Sequence, residues 1–215
     1  SNLGFLLPSS REGVLGFLSI LSLGKTSVNL NYTSPADVVM GCIKNAKVKT
    51  VVTSENFYEK LCQKNPNFSE LKEKVKFFFI DKEENDISKV THFIVSLFTI
   101  LSPKFLIEFC FSATKKLSDT AVILFSSGSE GVPKGIMLSH KNLIANTQQI
   151  DSVVRLKNND VMLAELPMFH SFGVTGNILL SLLDGIPMVL CPDPTDIKTM
   201  ARACAEYKAT ILFGT

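Results

Sequence analysis

The sequence predicts an α/β fold, a layered α/β/α arrangement with mostly parallel sheets. Short apolar runs rich in β-branched and aromatic residues alternate along the chain with helical patterns, which is typical of βαβ units. The chain also has 215 residues, of which 46% are hydrophobic and 20% charged, and this suffices for one sizeable core.

The strands and helices are predicted in a regular order. Apolar runs indicate strands at residues 4–7, 27–30, 49–53, 75–80, 121–126, 161–166, 187–190 and 210–213. Between them, helices are predicted at residues 12–23, 35–45, 56–64, 139–150, 172–183 and 195–207. Ser34-Pro35 and Ser139 support two of the helix starts, because serine caps helix N-termini and proline suits the first helical position.

The segment 92–111 departs from this alternation. It is strongly apolar, but Pro103, Lys104 and Glu108 interrupt it, and a transmembrane helix needs about 20 nearly uninterrupted apolar residues. The segment therefore predicts a buried or broken amphipathic helix. The alternative is a helix at a membrane surface, which would make a peripheral contact. Its lipid-facing phenylalanines and nearby lysines would be Phe93, Phe98, Phe105, Phe109, Phe111, Lys104, Lys115 and Lys116.

Composition and spacing exclude several classes of function. A net charge of +2 with scattered lysines indicates no nucleic-acid binding. The cysteine count is odd, at 5, and no Cys-x-x-Cys occurs, so reduced thiols in a cytoplasmic protein are expected. No metal-ligand spacing of His, Cys or carboxylate residues is present, so no protein-bound metal is expected. The start of the chain does not resemble a signal peptide.

The most informative motif directly follows the strand predicted at 121–126. Residues 126–135 read Ser-Ser-Gly-Ser-Glu-Gly-Val-Pro-Lys-Gly, which supplies hydroxyl donors, permissive backbone and one cation for a polyphosphate. The alternative is an ordinary surface loop. Lys134 is followed by Gly135, so the motif of P-loop phosphotransferases is not matched. The predicted phosphate contacts are Ser126, Ser127, Gly128, Ser129, Glu130, Gly131 and Lys134.

Three motifs together resemble the adenylate-forming (AMP-binding) superfamily: residues 126–135, then Ile-Met-Leu-Ser-His-Lys-Asn-Leu at 136–143 and Leu-Pro-Met-Phe-His-Ser-Phe-Gly at 166–173. They are similar to acyl-CoA and acyl-[acyl-carrier-protein] synthetases, whose first motif is Thr-Ser-Gly-Thr-Thr-Gly-x-Pro-Lys-Gly. The form Ser-Gly-Ser-Glu-Gly resembles the ligase half of bacterial bifunctional 2-acylglycerophosphoethanolamine acyltransferase/acyl-carrier-protein synthetases.

The resemblance implies both a fold and a reaction. The chain would be part of the large N-terminal domain, with a partial first α/β subdomain at 1–118 and the start of a second at 119–215. With ATP and Mg²⁺, a fatty acid would become an acyl-adenylate, and its acyl group would pass to a thiol of acyl-carrier protein or coenzyme A. Glu130 would repel phosphate unless it coordinates Mg²⁺ or points away. The residues lining the acyl and adenylate site would be Phe169, His170, Phe172 and Gly173.

The resemblance also implies that essential parts lie outside these residues. The downstream Tyr-Gly-x-Thr-Glu motif, the ribose-binding Asp and the C-terminal domain with its catalytic Lys are absent from the sequence, so we expect the chain to be inactive alone. The protein would be cytoplasmic, or at the inner face of the membrane. The remaining alternatives are an acyl-CoA synthetase for another carboxylic acid and a non-catalytic flavodoxin-like binding module.

Overall fold

The strands of the protein form two separate sheets. The computed structural model describes residues 1–82, 87–126 and 133–214. The strands in this part of the chain are β1 (Asn2–Phe5), β2 (Thr26–Asn29), β3 (Thr50–Thr53), β4 (Lys76–Phe79), β5 (Thr120–Phe125), β6 (Gly135–Ser139), β7 (Met162–Ala164), β8 (Met188–Leu190) and β9 (Ile211–Leu212). The first sheet has the order β4-β3-β1-β2-β5-β6, and the second has the order β8-β7-β9.

Parallel pairing dominates both sheets. Strands β1 to β5 run parallel to their neighbours, and only β6 pairs antiparallel, with β5. The second sheet is wholly parallel, with β7 at its centre. The predicted α/β class with mostly parallel sheets is therefore confirmed.

Helices connect the strands. They are α1 (Arg11–Ser22), α2 (Ala36–Asn45), α3 (Glu55–Lys64), α4 (Leu71–Lys74), α5 (Lys89–Leu101), α6 (Lys104–Phe111), α7 (His140–Val154), α8 (Leu180–Asp184) and α9 (Ile197–Tyr207), with a 3₁₀ turn at Pro66–Glu70 and a π-helical turn at Gly173–Leu179. Serines cap several of these helices. Ser139 begins α7 with a capping box, in which its side chain accepts from the Asn142 N–H and the Asn142 side chain accepts from the Ser139 N–H.

Apolar side chains cover both faces of the first sheet. Adjacent residues of a strand point to opposite faces. Val52 and Val122 accordingly belong to one apolar cluster, whereas Val51 and Ile123 belong to the other. The first cluster packs against α1 and continues into the second sheet at Met162, and the second cluster packs against α2 and α3. The first sheet is therefore the middle layer of an α/β/α sandwich.

Three observations differ from the sequence-based expectations or qualify them. Residues Gly135–Ser139 form β6, which was not predicted. Strands β5 and β6 join the first sheet, so this sheet draws strands from both sides of residue 118; the subdomain division at 118/119 stays a prediction.

The segment 92–111 is broken at Ser102-Pro103 into α5 and α6, as one alternative predicted, but neither of these fully described helices contains a buried residue. Of the two forms that the sequence allowed, buried or broken, the broken helix is the one observed.

No helix in the described ranges is long and apolar enough to cross a membrane.

Candidate functional site

A cavity of about 490 Å³ brings together two motifs that are distant in the sequence. The cavity is lined by Ser126 and Pro133, which lie at the two ends of the glycine-rich loop. It is also lined by Phe169, His170 and Ser171, from the segment that follows β7. The carboxyl ends of parallel strands are the usual ligand-binding edge of open α/β sheets, and this cavity lies at such an edge.

The glycine-rich loop connects the two strands of an antiparallel hairpin. Phe125 at the end of β5 pairs with Gly135 at the start of β6, and the Ser126 N–H donates to the Lys134 carbonyl oxygen at 3.1 Å. The Lys134 side chain is exposed beside this closure. The other predicted phosphate contacts lie outside the described residues; they are Ser127, Gly128, Ser129, Glu130 and Gly131.

This hairpin contradicts the P-loop phosphotransferase alternative. P-loop enzymes bind phosphate at the N-terminus of a helix that begins directly after the loop. Here Lys134 leads into strand β6, and the next helix, α7, begins only at His140. A phosphate at this loop would be bound by side chains and loop backbone without a helix dipole.

Phe169 and His170 lie on a tight turn after β7. The His170 N–H donates to the Pro167 carbonyl oxygen at 3.0 Å, and the Val174 N–H donates to the His170 carbonyl oxygen at 3.1 Å. The two rings are 4.6 Å apart between centroids. Partial burial of the His170 ring lowers its pKa below the ordinary value, so the imidazole is neutral at pH 7. His170 can therefore contact a substrate or donate a hydrogen bond, but it does not supply a positive charge.

Phe172 and Gly173 support this turn and do not line the cavity. The Phe172 ring packs on Phe213, with centroids 4.9 Å apart. A Cβ atom on Gly173 would lie 2.2 Å from the Pro167 carbonyl oxygen, which is too close for any side chain. Glycine is therefore required at 173 by backbone packing. Direct contact of these residues with an adenylate stays a prediction.

Several residues that line the cavity were not singled out in the sequence. Asn31 and Ser34 follow β2, and Cys42 lies on α2. For Asn31 and Ser34, the location after a buried parallel strand is a signal that could have identified them. Burial raises the pKa of the Cys42 thiol to about 11, so Cys42 is protonated at pH 7 and is not an acyl-accepting nucleophile.

A second and larger cavity of about 970 Å³ adjoins the first across an aromatic wall. Tyr32 stands edge-on between Phe57, at 5.1 Å, and Phe169, at 4.9 Å, between ring centroids. Its hydroxyl is buried without a hydrogen-bond partner among the described residues. Burial, with a smaller contribution from Asp193, raises the pKa of Tyr32 to about 12.

Among the described residues, no group of three or more His, Cys, Asp or Glu side chains is arranged to hold a metal ion.

Comparison with known proteins gives one family and a consistent fold. The family model described as AMP-binding enzyme matches residues 1–215. The 4-coumarate–CoA ligase 2 of Nicotiana tabacum is 31% identical over 211 residues, covering 96% of this chain and 36% of that protein. A long-chain-fatty-acid–CoA ligase of Escherichia coli is 23% identical over 227 residues, covering 97% of this chain and 40% of that protein. The chain thus spans well under half the length of these curated relatives.

Solved structures show the same arrangement of strands and helices. The o-succinylbenzoate CoA synthetase of Bacillus subtilis, in complex with its acyl-adenylate intermediate, has a TM-score of 0.75 at 17% identity, covering 98% of this chain and 48% of that chain. ATP-bound MatB of Rhodopseudomonas palustris has a TM-score of 0.73 at 20% identity, covering 100% of this chain and 39% of that chain. At these identities the similarity establishes the fold alone.

Proposed function

Because the chain belongs to the AMP-binding enzyme family, we propose that it acts in an ATP-dependent ligase that activates a fatty acid as acyl-AMP and transfers the acyl group to a carrier thiol. The observation that carries the proposal is the cavity shared by Ser126 and Pro133 with Phe169 and His170. A polyphosphate at the loop and a carboxylic acid beside the Phe169–His170 turn would meet in this cavity.

The first step joins the carboxylate to the nucleotide. A carboxylate oxygen attacks the α-phosphorus of ATP, the bond from this phosphorus to the bridging oxygen breaks, and pyrophosphate leaves with the electron pair. Negative charge builds on the leaving oxygens, and preorganised donors that strengthen as it builds lower the barrier. Ser126 and Lys134 are the described donors of the loop. Mg²⁺ would arrive with the ATP phosphates and neutralise part of this charge.

The cavity wall favours a monocarboxylic acid with an apolar body. Apolar side chains make up most of it, including Val39, Leu124, Ile136 and Leu138. Among the described residues none of its lining side chains is charged, since His170 is neutral at pH 7. A second carboxylate on the substrate would therefore be buried without a partner cation, which is costly.

An aromatic acid is the second candidate substrate. It is favoured by the relative named 4-coumarate–CoA ligase, which is more similar to the chain than the fatty-acid ligase of Escherichia coli is. The apolar wall would accept an aryl ring as well as an alkyl chain. Exchange assays with matched alkyl and aryl acids separate the two, because the preferred acid gives the higher kcat/KM.

In the second step a thiolate attacks the acyl carbon, the carbon–oxygen bond to AMP breaks, and AMP leaves. Acyl-carrier protein is the proposed acceptor because the form Ser-Gly-Ser-Glu-Gly at 127–131 resembles acyl-carrier-protein synthetases. Coenzyme A is the alternative, favoured by the names of the curated relatives. Acyl transfer to each acceptor from one preformed acyl-adenylate decides between them. A role in phospholipid acylation depends on the carrier-protein outcome.

The decisive test is carboxylic-acid-dependent ATP–pyrophosphate exchange by the full-length protein. Replacement Lys134→Ala removes a phosphate counter-charge and is expected to lower the exchange rate by roughly 10²-fold. The matched control is Lys76→Ala, an exposed lysine on β4 at the opposite edge of the same sheet, which is expected to leave the rate unchanged. A folded full-length protein that shows no exchange with any carboxylic acid would refute the proposal.

Peripheral membrane contact through 92–111 is part of the same proposal. Four of its five phenylalanines are exposed, with Phe105 at 71% and Phe109 at 83%. Apolar side chains beside lysines suit a membrane surface. Replacing Phe105 and Phe109 with serine is expected to reduce cosedimentation with anionic liposomes. The matched control is Val153→Ser, on the exposed side of α7, which is expected to leave cosedimentation unchanged. Equal cosedimentation of all variants would remove this part of the proposal.

A further inference from the structure

The turn that carries Phe169 and His170 is held by buried side chains from other parts of the fold. Residues 165–170 leave β7 without a neighbouring strand, so their backbone groups have no sheet partners. Buried backbone groups need partners, since each one left unpaired costs about 1–3 kcal/mol. Three side chains supply partners here, and two of them lie far away in the sequence.

Three buried polar residues provide these hydrogen bonds. The Ser9 hydroxyl donates to the Leu166 carbonyl oxygen at 2.8 Å. The Asn177 side-chain oxygen accepts from the N–H groups of Glu165, at 3.1 Å, and Leu166, at 3.0 Å. Asn29 Nδ2 donates to the Met168 carbonyl oxygen at 2.6 Å. Of these bonds, the one from Asn29 is nearest in sequence to Phe169 and His170.

Asn29 is itself fixed in orientation. It is the last residue of β2, and its Oδ1 accepts from the Ser27 hydroxyl at 2.6 Å. Ser27 and Asn29 are two residues apart and share a face of the strand. Both side chains are almost wholly buried, at 0% and 1% exposure. A buried amide in a strand is costly unless it is hydrogen-bonded, and here both ends of the Asn29 amide are satisfied.

Strand β2 also fixes the position of the glycine-rich loop. Its neighbour β5, paired at Ser27 with Val122 and at Val28 with Ile123, ends where the loop begins. The same strand therefore holds the loop through the sheet and the Phe169–His170 turn through Asn29. Strand β2 therefore fixes the position of both parts of the candidate site.

We propose that Asn29 is a positioning residue that aligns Phe169 and His170 with the phosphate loop by holding the Met168 carbonyl. This inference rests on the proposed function, in which that turn contacts the carboxylic acid. Asn29 touches neither substrate; it acts through the backbone of the turn. Misplacement of a contacting group by about 1 Å can cost roughly 10²-fold in rate.

The test uses Asn29→Leu in the full-length protein, with Thr26→Val as the matched control. Thr26 lies at the other end of β2, and its hydroxyl donates to the Thr120 carbonyl oxygen at 3.0 Å. In pyrophosphate exchange, Asn29→Leu is expected to raise the KM for the carboxylic acid at least about tenfold and to leave the KM for ATP within about twofold. If the substitution only reduced the amount of correctly folded enzyme, kcat would fall and both KM values would stay unchanged. That outcome would overturn the inference.

A second readout is independent of activity. The NMR titration of the His170 ring is expected to move toward the ordinary histidine pKa in Asn29→Leu, because a released turn loosens the contact of the ring with Phe169, and to stay unchanged in Thr26→Val. If Asn29→Leu does not fold, Ser27→Ala serves instead, since it removes the hydroxyl that orients the amide, with a smaller shift in the same direction. An unchanged titration would overturn the inference. Absence of exchange in the wild-type protein would refute the proposed function, yet this titration would still decide the role of Asn29.

Discussion

Replacement of Glu165 by glutamine should make the stability of the protein less dependent on pH. Glu165 directly follows β7 and is 5% exposed. Its carboxyl makes at most weak hydrogen bonds, to its own backbone N–H and to the Asn177 side chain, and these lower its pKa less than burial raises it. Burial raises the pKa of this carboxyl above its ordinary value, because the charged form loses its hydration.

The sign of the effect follows from proton binding. Between the ordinary glutamate pKa, about 4.3, and its raised value in the folded state, the folded protein binds more protons than the unfolded chain. The free energy of unfolding therefore falls as the pH rises through this interval and is constant above it. An unpaired buried polar group costs about 1–3 kcal/mol, and more when charged. We expect Glu165→Gln to gain at least about 1 kcal/mol over wild type between pH 4 and pH 8.

The assay is urea unfolding followed by circular dichroism at several pH values. The matched control is Glu73→Gln, which replaces an exposed glutamate on α4. The difference in free energy of unfolding between this control and wild type should not change with pH in the same way. Glutamine at 165 is also a buried polar side chain, so the absolute stability of the variant is less informative than its slope with pH. A constant difference between Glu165→Gln and wild type across the pH range would refute the reasoning.

Two further predictions concern residues around the aromatic turn. Gly173→Ala should lower the free energy of unfolding by about 1–3 kcal/mol, because its Cβ atom would lie 2.2 Å from the Pro167 carbonyl oxygen; unchanged urea unfolding would contradict this packing. Tyr32→Phe should raise the free energy of unfolding by about 1 kcal/mol, because it removes a buried hydroxyl without a described partner. A loss of stability in Tyr32→Phe would mean that this hydroxyl is satisfied in solution.

The sequence predicted the regular elements well because their signals are local. The strand expected at 121–126 is β5 at Thr120–Phe125, and the helix expected to follow Ser139 begins at His140. Strand β6 was missed because Ile136 and Met137 are 50% and 69% exposed, so no buried pattern marks it. Its existence depends on pairing with β5, which no short window of sequence contains.

The candidate site was only partly predictable for the same reason. The glycine-rich motif and the Phe169–His170 motif could be identified from their residues, but the cavity that joins them depends on tertiary contacts. Asn29 looked like an ordinary strand residue, since its partner Met168 is 139 positions away. The sequence left open whether 92–111 is buried or broken, because hydropathy describes what a side chain favours and does not show whether another element covers it.

The hairpin closure between β5 and β6 makes the glycine-rich loop a natural unit for constructing chimeras. Sheet hydrogen bonds bracket residues 126–134 on both sides, and the pairing of Phe125 with Gly135 holds the ends together whatever sequence lies between them. Loops from other members of the AMP-binding enzyme family can therefore be transplanted at these two positions while the scaffold stays constant. Such a series would separate the effects of the loop from the effects of the surrounding fold.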